Sequence, residues 1–200
     1  MAKLLIATHN LGKLKEFAEF FMGTPFELVS LSDLGIDLDV DETGTTYAEN
    51  ATLKATTYAG LSGLSTLADD SGLEVDGLGG EPGVRSARYA GEDASDDDRI
   101  AFLLQKLNNV AREQWTARFR CVIALAWPDS PIELYEGQCE GIITDRPRGA
   151  KGFGYDPLFY LPELGKTMAE LPFDEKNRIS HRGRAAMKVV EELKERKWHW

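Results

Sequence analysis

The sequence is short of cysteine and histidine, with two of the first and three of the second in 200 residues. No Cys/His spacing of the kind that holds zinc is present. Cys121 and Cys139 both fall in strand-like runs. Their number would allow one disulfide, but in a chain without an export signal two reduced, packed thiols are expected. No apolar run approaches the length of a membrane span. The apolar stretch Leu4-Leu5-Ile6-Ala7 after Met1-Ala2-Lys3 is too short for a secretory signal, so cytoplasmic residence is expected. Positive charge is scarce as well: 23 Lys and Arg stand against 33 Asp and Glu, a formal net charge of −10. That balance argues against a nucleic-acid polymer, whose binding depends on many phosphate-neutralising cations. A single nucleotide needs only a local cluster of donors, and an acidic background also suits a divalent metal. Internal repeats, low-complexity tracts and a linker that would mark independent domains are all missing, so residues 1–200 are expected to form a single domain.

The apolar share of 42% and charged share of 28% are those of an ordinary globular chain with a sizeable core. Residues 3–8 read as a buried strand. Asn10 opens a helix whose Leu14, Phe17, Ala18 and Phe21 recur at helical spacing, and Gly23 stops it. A second strand is expected over residues 26–30, followed by an acidic, turn-rich segment ending in Asp41-Glu42-Thr43-Gly44. Residues 46–60 read as a helix with Ala48, Ala51, Ala55 and Ala59 on one small-residue face. A strand over 65–68 leads into Asp69-Asp70-Ser71-Gly72, and residues 77–91 form an ordered glycine-rich loop. A helix over 96–107 precedes strands over 117–127 and 132–144, paired as a hairpin around Pro128-Asp129-Ser130-Pro131. A glycine-rich turn at 149–156 follows, and a helix near 180–196 closes the chain with Ala186, Val189, Val190 and Leu193 facing inward. Trp198 and Trp200 have no assignment. Strands and helices without a strict βα repeat indicate α/β or α+β with a mixed sheet.

Three segments carry candidate chemistry. Thr8-His9-Asn10-Leu11-Gly12-Lys13 lies where a strand passes into a helix, and unpaired helical N–H groups there favour an anion. It is not a Walker A loop, and the same hexapeptide is also consistent with a plain capped helix. Asp69-Asp70 sets two carboxylates side by side, which repel unless cations or donors compensate. Such oxygen ligands suit Mg2+, with Asp70, Glu42 and also Asp69 as candidates, although a solvated acidic turn would look similar. Asp96-Asp97-Asp98 begins a helix, where the dipole alone accounts for it.

These segments occur in order with Gly79-Gly80-Glu81-Pro82-Gly83, Ser86-Ala87-Arg88-Tyr89, Phe153-Gly154-Tyr155-Asp156-Pro157, Glu175-Lys176 and Ser180-His181-Arg182. The pattern resembles the inosine triphosphate pyrophosphatase family, the RdgB-like dITP/XTP pyrophosphatases, from Lys3 to the final helix. The resemblance implies an α/β fold with an elongated mixed β-sheet flanked by helices, forming two lobes around a nucleotide-binding cleft, and a homodimer. It implies Mg2+-dependent hydrolysis of ITP, dITP and XTP to the monophosphate and pyrophosphate, keeping these nucleotides out of DNA and RNA.

Carried over by position, Thr8, His9, Asn10, Leu11, Gly12 and Lys13 grip phosphates, with Lys54 near them. Asp70 is the proton acceptor and a metal ligand, and Glu42 is the other metal carboxylate. Ser71, Phe153, Gly154, Tyr155, Asp156, Lys176, His181 and Arg182 bind the nucleotide. Phe153 or Tyr155 would stack on the base. Donors from His181, Arg182 or nearby backbone would meet a 6-oxo group and oppose the 6-amino group of adenine. Many relatives carry glycine where His9 stands, which leaves the imidazole either strained or reaching a phosphate oxygen. A Maf-like pyrophosphatase of different base preference, or a nucleotide sensor without turnover, would share parts of this pattern.

Overall fold

The computed structural model describes residues 2–128 and 130–196. Asp129 of the expected hairpin turn, together with Trp198 and Trp200, lies outside the described residues. In chain order the regular elements are β1 (Ala2–Ile6), α1 (Leu11–Phe20), β2 (Phe26–Ser30), α2 (Tyr47–Ser62) and β3 (Ser65–Val75). They continue with α3 (Asp96–Leu107), β4 (Thr116–Ala126), β5 (Glu133–Ile143), β6 (Phe159–Leu161), β7 (Lys166–Thr167), α4 (Phe173–Ile179) and α5 (His181–Glu195). The strands form one open sheet in the order β2-β1-β3-β4-β5-β6-β7. β1 pairs parallel with β2 and β3, whereas β5, β6 and β7 pair antiparallel in turn. The sheet is therefore mixed, and helices flank it.

The chain folds into two compact units, whose boundaries fall inside β3, β4, β5 and the first turn of α5. Among the described residues the first comprises 2–70, 121–128, 130–137 and 182–196. Its core gathers Leu4 and Ile6 of β1, Leu67 of β3, Cys121, Ile123 and Leu125 of β4, Phe17 and Phe21, and the inner face of α5. All four residues predicted for that inner face are buried, with Ala185 beside them. The second unit comprises residues 71–120 and 138–181. Leu73 and Val75, Leu103 and Leu107, Phe119, Tyr155, Leu158, Phe159 and Met168 meet in its core. Cys121 and Cys139 are buried thiols not joined in a disulfide. No helix among the described residues is long and apolar enough to cross a membrane.

Local chemistry accounts for both ends of α2 and the start of α3. Thr46 and Glu49 close a reciprocal capping box on α2, and Gly63 ends it at φ +69°. Ser95 and Asp98 do the same for α3, whose first turn holds the three aspartates. Three expectations need correction. On α1 it is Glu16, not Ala18, that joins Phe17 in the buried set. β3 does not end at Ala68: Gly72, Leu73 and Val75 continue it as buried residues, so Asp69 and Asp70 lie within a strand. Residues 173–179, which carry Lys176, form a separate helix, α4, that the spacing of apolar residues did not suggest.

Candidate active site

In the first unit, β3 brings Asp69 and Asp70 into position, both almost fully buried. Consecutive side chains in a strand point to opposite faces, so the two carboxylates part company. Asp69 is met by Lys13 Nζ at 2.9 Å and Arg182 Nε at 3.1 Å, and Arg182 Nη1 also holds Glu16 at 2.7 Å. Burial alone would raise the Asp69 carboxyl, but Lys13 and Arg182 overcome it and hold the group well below the ordinary carboxylate range. The Arg182 guanidinium is in turn raised by Asp69 and Glu16 against its own burial. Cys121 lies against the same group, its sulfur 3.8 Å from Asp69 Oδ2, and burial pushes its thiol far up. Two carboxylates thus face two cations in a balanced internal network.

The other carboxylate faces α2. Asn50 Nδ2 donates to Asp70 Oδ2 at 3.0 Å, and Lys54 Nζ approaches Asp70 Oδ1 at 3.7 Å. Lys54 also forms a close ion pair with Glu42, on the segment before α2. Burial, reinforced by the charge of Glu42, raises Asp70 above its ordinary value against the pull of Lys54. The lysine is raised too, because Asp70, Glu42 and Asp69 outweigh its desolvation. Glu42 and Asp70, far apart in sequence, therefore converge on one ammonium.

Two carboxylates against one lysine leave an excess negative charge, and the donors are oxygens, the set that hard divalent cations prefer. No three Asp, Glu, His or Cys side chains gather as a metal cage among the described residues. The pair fits a metal such as Mg2+, which leans on one or two carboxylates and takes remaining ligands from water and phosphates. Asp69, claimed by Lys13 and Arg182 on the opposite face, does not share this pair.

At the start of α1, Asn10 is the N-cap and accepts the Lys13 backbone N–H at 3.0 Å, while Thr8 Oγ1 accepts that of Asn10 at 3.1 Å. Leu11 is 78% exposed, so the turn is open to solvent. His9 does not point into this turn: its Nε2 donates to the Leu38 carbonyl at 3.1 Å, which Tyr58 also reaches at 2.8 Å.

The second unit holds the other candidates. Asp156 and Lys176, both buried, pair at 2.5 Å. Asp156 Oδ2 accepts the Phe153 N–H at 3.0 Å, and Lys176 Nζ lies 4.8 Å from the Phe153 ring centre. Gly152, at φ +76°, leaves the space: a Cβ there would collide with Asp156 Oδ2. The Gly154 N–H donates to Asp96 at 2.6 Å, so one of the helix-start aspartates also fixes this turn. Tyr155 belongs to the core, 4% exposed, its hydroxyl donating to the Ser86 carbonyl at 3.0 Å. Of the two aromatics considered for stacking, only Phe153 retains exposure. His181 is buried and stacks on Phe119, ring centres 4.7 Å apart. Ser71 lies half-buried on β3.

Sequence reasoning missed Glu16, Asn50 and Asp96 as parts of these clusters. A charged residue on the inner face of α1, and an asparagine inside a helix where it is intrinsically poor, were the available signals.

An open mixed sheet flanked by helices, with buried acidic and basic clusters on its strands and helices, defines an α/β protein. The chain belongs to the Ham1 family, whose model matches residues 4–192. It is 53% identical to the dITP/XTP pyrophosphatase of Geobacillus kaustophilus, over 98% of this chain and 96% of the relative. It is 51% identical to the protein of the same name from Geobacter sulfurreducens, over 96% and 97%. Among solved structures, a HAM1 protein from Coxiella burnetii superposes with a TM-score of 0.91 at 41% identity, over 98% of this chain and all of the other.

Proposed function

We propose that this protein hydrolyses non-standard purine nucleoside triphosphates, ITP, dITP and XTP, to the monophosphate and pyrophosphate. The reading rests above all on relatives at 53% and 51% identity, both named dITP/XTP pyrophosphatase and matched along nearly their whole length. Convergence of Glu42, Lys54 and Asp70 supports it. The family model runs through both compact units, so we take residues 1–200 as one functional domain.

In this reading Glu42 and Asp70 hold Mg2+. When bound, the ion supplies charge neutralisation and polarises the phosphate oxygens. Phosphoryl-transfer sites work chiefly by placement and electrostatics, and the chain contributes both. Thr8, Asn10, Leu11 and Gly12 line the phosphate turn together with the backbone of His9, whose imidazole is held by Leu38, and Lys13 and Lys54 balance the developing charge. Asp70, with a raised proton affinity, accepts a proton from the attacking water. Ser71, Phe153, Gly154, Asp156 and Lys176 form the nucleoside side, with Phe153 offered for stacking and Tyr155 held in the core beneath its motif. His181 and Arg182 supply donors for the 6-oxo group. A buried donor left unmatched by adenine's amino group costs about 1–3 kcal/mol, which compounds over several contacts. The same reading carries a cytoplasmic homodimer that needs no nucleic-acid polymer or membrane.

The test is a panel of ITP, dITP, XTP, ATP, GTP, UTP and dTTP with Mg2+, assayed for pyrophosphate. Turnover of the first three far above the rest is expected. Preference for UTP or dTTP, or binding of ITP without turnover, would overturn the proposal.

A further inference from the structure

We propose that Asn50 is a positioning residue that sets the rotation of the Asp70 carboxylate and ties it to the segment carrying Glu42. The inference rests on the reading of Asp70 as proton acceptor and metal ligand.

Asn50 is the fourth residue of α2 and is 0% exposed. Its amide is engaged at both ends: Oδ1 accepts the Gly44 N–H at 2.8 Å, and Nδ2 donates to Asp70 Oδ2 at 3.0 Å. A backbone N–H can only donate, so the contact with Gly44 admits one orientation of the amide. The NH2 end must then face Asp70. A carboxylate with one oxygen held this way turns the other, Oδ1, toward Lys54, the lysine that also grips Glu42. Gly44 is two residues beyond Glu42, so one side chain links the proposed base to the loop bearing the second carboxylate. The fit is close. A Cβ on Gly44 would lie 2.6 Å from Asn50 Oδ1 and 2.7 Å from the Glu49 Cβ. Asparagine weakens a helix interior, and here each polar end of its side chain has a partner.

The test compares Asn50→Ala with Gly44→Ala, which disturbs Asn50 from its other end without touching Asp70. Both are assayed for kcat and KM on dITP, well below their thermal unfolding midpoints. Misplacing a reacting group by about 1 Å costs on the order of 100-fold in rate, so kcat should fall about 10- to 100-fold, with KM within about threefold. Either variant, folded, with kcat within about twofold of the parent or with its loss mainly in KM, overturns the inference. Should one variant fail to fold, the other decides. Asp70→Asn is run in parallel. If it retains full turnover, the reading of Asp70 fails; if it is inactive while the Asn50 and Gly44 variants stay active, only the positioning role fails.

Discussion

Asp69 and Asp70 are joined by one peptide bond yet take different close partners, although the charge of Lys54 acts on both. Asp69 Oδ2 lies 2.9 Å from Lys13 Nζ, whereas Asp70 Oδ2 takes a hydrogen bond from Asn50 Nδ2 at 3.0 Å. Strand alternation produces the separation, and it resolves the repulsion that two adjacent buried carboxylates would otherwise suffer.

The two aspartates should therefore respond oppositely to neutralisation. Asp69 has a depressed pKa, so its ion pairs add stability that is complete above the unfolded value of 3.8 and fades as pH falls below it. Asp69→Asn should lose about 3–5 kcal/mol at neutral pH, since it strands a buried cation, and the gap to the parent should narrow in acid. Asp70 has a raised pKa, so its contribution is present below 3.8 and lost as pH rises through the folded value. Asp70→Asn should unfold no more easily than the parent at neutral pH while losing turnover. Denaturant melts across pH check both.

Lys54 keeps Glu42 and Asp70 together when no cation is present. Lys54→Met should lower the melting temperature in chelator, because two carboxylates then face each other unscreened. Added Mg2+ should recover more stability in the variant than in the parent, measured as a thermal shift, without restoring turnover.

Gly152 admits no side chain. Gly152→Ala adds a Cβ at φ +76° against Asp156 and within 3.1 Å of Lys176 Nζ. Strain at such a position costs about 1–3 kcal/mol, and displacement of the Asp156–Lys176 pair should raise KM for dITP more than it lowers kcat.

His9 points away from the phosphate turn and holds Leu38. His9→Gly should keep KM for dITP within about threefold, since an exposed hydrogen bond contributes about 0.5–1.5 kcal/mol. Amide exchange over residues 36–43 should quicken in the same variant. A large rise in KM would show instead that the imidazole meets the phosphates.

The elements with local signals were legible. The capping residues before α2 and α3 and the apolar spacing of α5 mark those helices without tertiary help. β3 was read too short because Ser71-Gly72 looks like a turn, whereas the buried Leu73 and Val75 carry the strand onward. The motifs supplied the candidate residues but not their partners. Arg182 reaches Asp69 across 113 positions and Glu16 across 166, and nothing local in the chain encodes such pairings. Tyr155, marked for stacking by its motif, is instead absorbed by the core. A motif identifies residue types, while the fold decides which face each one serves.

The most direct measurement follows the products of dITP with Mg2+, for the parent and for Asp70→Asn at matched folding. The account predicts dIMP and pyrophosphate in equal amounts from the parent, and turnover lower by at least about 100-fold in the variant. Orthophosphate as the released product, or an undiminished rate in Asp70→Asn, would contradict it.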